Sequence, residues 1–222
     1  MFLKVGHRGA RAYEIENTLE SFKKALELGA NAVELDVRQS RDGKLVLSHD
    51  ETLKRVFGND VTVSQATLKE LKQLTASKIL TLGEALRFLD SKVDKILVEL
   101  KETGYEKKVL DVILREKLLD RAIAVSFHED ALAAMRGLHK RIETGIIYAR
   151  FKNPVDAARR LGAGYLLPLY RFVHTRDIEK AHEHNLKVIV WTINTPKEAR
   201  DYSAKGVDGI ASDKPDIFEG IE

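Results

Sequence analysis

His7, Arg8, Glu34, Asp36, His49, Glu99 and Lys101 are the side chains whose types and spacing could do chemistry together. Glu34 and Asp36 lie two residues apart, as do Glu99 and Lys101, so on extended backbone each pair shares one face. Three carboxylates brought to one place repel one another and lose hydration unless a cation sits among them. An all-oxygen donor set in a chain without cysteine suits a hard divalent ion, Mg²⁺ or Ca²⁺, and excludes a thiolate site. The competing reading is an ion-pair network in which Arg8 and Lys101 neutralise the acids with no metal. Three acids from two strand ends favour the metal. Imidazoles titrate near neutrality, so His7 and His49 beside a bound phosphate suit general acid and base work. The planar fork of Arg8 can hold two phosphate oxygens at once. His128, His139, His174, His182 and His184 fall mostly on helices or loops and are read as structural.

A parallel sheet must position these groups. Short β-branched apolar runs alternate with stretches of helical period, the signal for βαβ units. Eight such runs fall near 3–7, 32–37, 95–100, 123–127, 144–148, 165–169, 188–192 and 207–211. Helix starts appear at Thr18, at Thr81 with Glu84, and at Thr195 with Pro196 and Glu198; the last two predict capping boxes. The expected fold is therefore α/β: a single TIM-type (β/α)8 barrel, with residues 1–222 forming one domain. Active groups of such barrels stand at the C-terminal strand ends. The first run here ends in Gly6-His7-Arg8-Gly9, the second carries Glu34-Leu35-Asp36, the third Glu99-Leu100-Lys101 and the seventh Trp191-Thr192-Ile193-Asn194.

One further run, 44–48, follows the second strand too closely for a parallel crossover and must return antiparallel. Asp42-Gly43 predicts a two-residue type I′ turn with Arg41 opposite Lys44, and counting outward from it sets His49 opposite Asp36. Residues 50–81 then read as a small insertion near the active-site mouth, with one short helix begun by Thr67 and Glu70. Its Val56, Phe57, Val61 and Val63 either receive an acyl chain or pack the insertion onto the barrel.

Composition narrows the partners. Lys plus Arg number 37 against 34 Asp plus Glu, and the signs are interspersed instead of blocked, which implies neither nucleic acid nor a charged membrane surface. No apolar run approaches the roughly 20 residues of a membrane span. Met1 leads straight into a strand-like run with no signal-peptide pattern, so a soluble cytoplasmic protein is expected. Nothing in the sequence signals an oligomeric state.

The ordered set Gly6-His7-Arg8-Gly9, Glu16-Asn17-Thr18, Glu34-Leu35-Asp36-Val37, Asp42-Gly43, His49-Asp50 and Glu99-Leu100-Lys101 resembles the glycerophosphodiester phosphodiesterase family. Ser126-Phe127, Trp191-Thr192-Ile193-Asn194 and the block from Gly206 to Asp213 look like its later motifs, so the resemblance spans nearly the whole chain. It implies one divalent cation held by Glu34, Asp36 and Glu99, an acid/base pair in His7 and His49, and phosphate-facing cations in Arg8 and Lys101. Trp191 matches an aromatic near the glycerol or alcohol pocket, with core packing as the equal alternative. Glu16 and Asn17 orient Arg8 or its loop, or else cap the next helix. Ile15 replaces the family's usual Pro, and Ser40 and Ser212 replace Thr; none of these removes a metal- or proton-handling group.

The implied reaction is metal-dependent hydrolysis of a glycerophosphodiester to glycerol 3-phosphate and an alcohol. A glycerol hydroxyl attacks phosphorus, one histidine taking its proton and the other protonating the leaving alcohol. Two rivals remain: a barrel of the same type that cleaves lysophospholipid headgroups, and a non-catalytic barrel that binds a phosphorylated metabolite. The acid/base pair separates the last from an enzyme, because a binder needs no proton transfer.

Overall fold

The structure, a computed structural model, describes residues 1–221. These form nine strands: β1 (Leu3–His7), β2 (Ala32–Gln39), β3 (Leu45–Leu47), β4 (Lys95–Leu100), β5 (Ala122–Ser126), β6 (Glu143–Tyr148), β7 (Tyr165–Pro168), β8 (Lys187–Val190) and β9 (Gly209–Ser212). All but β3 run parallel, and β1 closes the ring by pairing with both β2 and β9. The helices are α1 (Leu19–Glu27), α2 (Lys54–Phe57), α3 (Leu68–Leu74), α4 (Leu82–Leu89), α5 (Glu106–Arg115), α6 (Glu129–Leu138), α7 (Pro154–Leu161), α8 (Thr175–Glu183) and α9 (Pro196–Ala204). The closed eight-stranded parallel barrel agrees with the sequence expectation, and β3 lies outside it, antiparallel on β2. Among the described residues no helix is long and apolar enough to cross a membrane.

The strands read as unbroken apolar runs because a parallel barrel buries both of their faces. On β2, Val33, Leu35 and Val37 pack outward against the helices, as do Ile96, Val98 and Leu100 on β4. The alternate positions face the lumen, where Leu97 joins Leu3, Val5, Ile123, Val125, Tyr165, Leu167 and Ile189. Glu34, Asp36 and Glu99 share that inward parity, so the apolar residues between them fix their direction. At the helix starts, Thr67 with Glu70 and Thr81 with Glu84 form reciprocal capping boxes. The box expected at Thr195 is only half made. Thr195 Oγ1 accepts from the Glu198 amide at 3.3 Å, but the Glu198 carboxylate takes the Thr195 hydroxyl at 2.7 Å.

The hairpin departs from its expected register. β2 and β3 pair Val37 with Leu47, Arg38 with Val46 and Gln39 with Leu45, which puts Ser40 opposite Lys44 and leaves a three-residue turn. Gly43 takes φ +74° there, as a type I turn followed by a left-handed glycine requires. Ser40 secures this turn: its hydroxyl accepts from the Lys44 amide at 3.0 Å and donates to Asp42 at 2.6 Å. The shift sets Ser48 in place of His49 opposite Asp36, with the Ser48 amide donating to the Asp36 carbonyl at 3.1 Å. His49 lies beyond the last residue of β3, where strand alternation no longer dictates direction.

The insertion packs on itself. Leu53, Val63, Ala66, Leu71 and Ile79 bury around Val46 of β3, with Phe57 and Val61 packed against them. The candidate acyl-receiving cluster is thus largely the insertion's own core.

Gly9 follows the active end of β1 at φ +83°, and an added Cβ would stand 2.3 Å from Ser21 Oγ and 2.6 Å from the Ser21 carbonyl carbon on α1. Left-handed strain and a backbone clash add, so Gly9→Ala is expected to cost about 3 kcal/mol. Calorimetry should show Tm lowered by roughly 6–12 °C; an unchanged Tm would mean that α1 yields freely.

Candidate active site

The C-terminal strand ends gather the predicted residues around one cavity of about 170 Å³, all of them lining it except Asp36, which is fully buried beside Glu34 and Glu99. One side is polar, with His7, Arg8, Glu34, His49, Glu99 and Lys101; the other is apolar, with Leu97, Val125, Phe127, Ile147, Leu167, Ile189, Trp191 and Ala211. A larger hollow of about 480 Å³ opens at the opposite end, among Asn31, Lys95, Arg121 and Lys187. It is at the N-terminal strand ends, and its two acids, Asp94 and Asp208, belong to no cluster of three among the described residues, so chemistry belongs to the smaller cavity.

Glu34, Asp36 and Glu99 each offer an oxygen within 4.8 Å of the others, and all three are buried. Two of their oxygens, Glu34 Oε1 and Asp36 Oδ1, are buried with no hydrogen-bond partner. Buried carboxylate oxygens are ordinarily paired, so a pair of orphans beside a third acid fits a hard cation with oxygen ligands. Lys101 Nζ stands 2.6 Å from Glu99 Oε1 and 3.4 Å from Asp36 Oδ1, the latter a charge contact without hydrogen-bond alignment. Arg8 donates its backbone amide to Glu34 at 2.9 Å, reaches Glu16 with Nη1 at 3.0 Å and sets Nε 3.2 Å from Asp36. The ion-pair reading is thus partly realised, yet it leaves Glu34 Oε1 and Asp36 Oδ1 without a hydrogen bond, the latter with only the charge of Lys101 beside it.

The charges respond to this crowding. Burial, then Asp36 and Glu99, push the Glu34 carboxyl well above its usual range. Burial and Asp36 push Glu99 up to about 7, despite Lys101. Burial also opposes ionisation of Asp36, but Arg8, Lys101 and His49 outweigh it and hold that carboxyl below its usual value. Burial lowers both histidines against the pull of neighbouring acids. Neutral imidazoles are therefore present near neutral pH.

His7 Nδ1 lies 2.7 Å from Asp213, and His49 Nδ1 lies 2.6 Å from Asp50. A carboxylate at Nδ1 fixes the proton there in the neutral ring and leaves Nε2 for proton exchange. Asp213 is itself held, taking Asn194 Nδ2 at 2.8 Å and Arg11 Nε at 3.2 Å. Sequence reasoning missed these partners. Asp213 stands just past the end of β9, where the strand-end rule could have singled it out; Asp50 had only its adjacency to His49.

Of the two readings for Glu16 and Asn17, orientation is the one realised. Glu16 grips Arg8, and Asn17 donates Nδ2 to Asp36 Oδ2 at 2.9 Å while accepting the Asp36 amide at 3.2 Å. Thr18 is the helix cap, accepting from Ser21 N at 3.3 Å. Trp191 packs into the barrel and also lines the cavity: Nε1 donates to the Leu167 carbonyl at 2.7 Å, and the ring meets Phe127 edge-on at 5.8 Å. The other histidines stay away from the cavity lining; His182, for example, pairs with Asp208 at 2.9 Å.

A model of the glycerophosphoryl diester phosphodiesterase family matches residues 7–217. A glycerophosphodiester phosphodiesterase of Caldanaerobacter subterraneus subsp. tengcongensis is 30% identical, the match covering 97% of this chain and 96% of that one. A crystal structure of a glycerophosphodiester phosphodiesterase from Thermotoga maritima superposes with a TM-score of 0.85 at 35% identity, over 100% of this chain and 99% of its own. An Oleispira antarctica phosphodiesterase in complex with its product sn-glycerol-3-phosphate superposes with a TM-score of 0.87 at 25% identity, covering 97% of this chain and 94% of that one.

Proposed function

Because the chain belongs to the glycerophosphoryl diester phosphodiesterase family, we propose that its cavity cleaves glycerophosphodiesters to glycerol 3-phosphate and an alcohol, with His7 and His49 exchanging the protons. The chain is a glycerophosphodiester phosphodiesterase in the coarse sense that its relatives define. The observation that carries the finer reading is the convergence of two carboxylate-held imidazoles, Glu34, Glu99, Arg8 and Lys101 on one wall of a small cavity, with Asp36 buried directly beside the two acids. The Oleispira relative's product supports glycerol 3-phosphate as the phosphorylated half here.

Glu34, Asp36 and Glu99 would hold one Mg²⁺ or Ca²⁺, whose charge offsets that of the phosphodiester and of the transition state. Arg8 and Lys101 add preorganised positive charge beside the phosphate oxygens. One imidazole removes the proton of a glycerol hydroxyl as its oxygen attacks phosphorus. The other protonates the departing alcohol oxygen, which leaves a cyclic phosphodiester for water to open. The apolar wall of Phe127, Trp191 and Leu167 excludes water from the side facing away from the charges.

The lysophospholipid alternative loses support because Val63 is buried and Phe57 and Val61 pack onto the insertion's core. Chelator-stripped protein, resupplied with Mg²⁺ or Ca²⁺, should release glycerol 3-phosphate from glycerophosphocholine and glycerophosphoethanolamine. Turnover of a lysophospholipid alone would replace this reading with its rival.

Arg8→Lys should lower turnover at least about tenfold, since an ammonium cannot serve Glu16, Asp36 and a phosphate together as the planar fork can. Steady-state kinetics on the preferred diester decides it; wild-type turnover would confine Arg8 to a structural part.

A further inference from the structure

Arg55, on α2 of the insertion, touches none of the groups given a part in the reaction, yet it joins two of them. Its Nε meets Asp50 Oδ2 at 2.6 Å, and its two terminal nitrogens reach the two Glu16 oxygens at 2.9 and 2.7 Å. Asp50 uses its other oxygen to hold His49 Nδ1 at 2.6 Å. Glu16 Oε1 also takes Arg8 Nη1 at 3.0 Å. An unbroken chain of charged contacts therefore runs from His49 through Asp50, Arg55 and Glu16 to Arg8.

His49 needs such a device. It follows the end of β3, so no strand ladder directs its side chain. Arg38 pins its backbone, donating Nε and Nη2 to the His49 carbonyl at 3.1 and 2.9 Å, but leaves the ring free to turn. Asp50 orients the ring, and Asp50 in turn is held by Arg55. Glu16 is the firm end of the chain: it is 8% exposed, and its neighbour Asn17 is bonded twice to Asp36.

We propose that Arg55 is a positioning residue for catalysis, fixing the His49 ring through Asp50 against the Glu16–Arg8 anchor, so that the insertion sets the proton-transfer geometry. This rests on the reading of His49 as a proton-transfer group. A guanidinium suits the task because three of its nitrogens engage two carboxylates in one plane, which an ammonium cannot reproduce. The Arg55 side chain is 49% exposed, and an ion pair so exposed contributes little to stability. A purely structural Arg55 would accordingly move neither Tm nor kcat by much, whereas a positioning Arg55 shows selectively in kcat.

The test is a double-mutant cycle on the full chain with metal restored, reading kcat and KM on a glycerophosphodiester. Arg55→Ala is expected to lower kcat roughly 10- to 100-fold, the scale of a misplacement of about 1 Å, with KM changed only a few-fold. In a His49→Ala background the same substitution should cost less than about twofold, because its effect passes through the missing ring. Arg55→Lys should keep Tm yet recover little of kcat. Asp50→Asn, which cuts the same chain while leaving Arg55 in place, should reproduce the loss and serves if Arg55→Ala folds poorly. An undiminished Arg55→Ala penalty in the absence of His49 overturns the inference. A neutral His49→Ala overturns both this and the acid/base reading, so the single variant tells the two failures apart.

Discussion

Chelation of divalent metal is expected to abolish turnover, and Glu99→Gln to weaken metal affinity by roughly 10²-fold or more while the barrel stays folded. Glu99 stands at the cavity, whereas its neighbours Val98 and Leu100 carry the helix-side core, so removing its charge leaves the packing alone. The orphan oxygens of Glu34 and Asp36 would supply the driving force for binding. The pH dependence has a definite sign. In the metal-free protein Glu99 is pushed up to about 7 from 4.5, and Glu34 is raised likewise. The folded state then holds protons that the unfolded chain has released, so metal-free stability falls as pH rises from about 4.5 through about 7. Asp36, shifted down, acts only below 3.8. A metal ion must displace those protons, so its affinity rises over the same window. Thermal melts with and without Mg²⁺ or Ca²⁺ should therefore show a larger gain in Tm at pH 8 than at pH 5. Full turnover in excess chelator would remove the metal from the reading, and an equal gain at both pH values would remove Glu34 and Glu99 as its ligands.

The barrel was legible because each strand announces itself twice, as an apolar run and through the helical stretch that follows. The inward direction of Glu34, Asp36 and Glu99 was legible too, since burying Leu35 and Val98 on the helix side leaves the acids only the lumen. The hairpin register was not. Asp42-Gly43 satisfies both a two-residue type I′ turn and a three-residue turn with a left-handed glycine, and local preference does not choose between them. Ser40 tips the balance with a hydroxyl that closes the longer turn on Lys44 and Asp42. His49 still reaches the cavity because the strand has ended before it, so the error in register did not carry over to the site.

What stayed hidden are the residues that orient the reactive ones. Asp213 meets His7 across 206 positions of chain, and Arg55 meets Glu16 across 39, so no local period encodes either contact. Glu16 and Asn17 were ambiguous for a related reason: an acid and an amide before a helix cap the helix or serve the site equally well until the lumen places Asp36 beside them. The reactive residues are spaced by strand geometry and can be read from it. Their supports come from whichever loop the closed barrel brings near.

His49→Ala is expected to lower turnover by roughly 10² or more, the scale of losing a general acid or base, with little change in Tm. Its ring is 33% exposed and makes its one side-chain hydrogen bond to Asp50, so its removal opens no core cavity. Burial holds its pKa below the usual 6.5, against Asp36 and Asp50, which keeps the ring neutral and its Nε2 open to a proton near neutral pH. His139→Ala is the matched comparison. That residue follows α6, where Nδ1 accepts from the Arg141 amide at 3.2 Å, and α6 delivers it to the N-terminal end of the barrel. Its loss should leave turnover on a good diester close to wild type. Steady-state rates for both variants, measured with saturating metal, set the two histidines apart by their place in the fold and not by their chemistry. Equal, near-wild-type rates would mean that His49 moves no proton, and His7 with Asp213 would then have to carry the transfer alone.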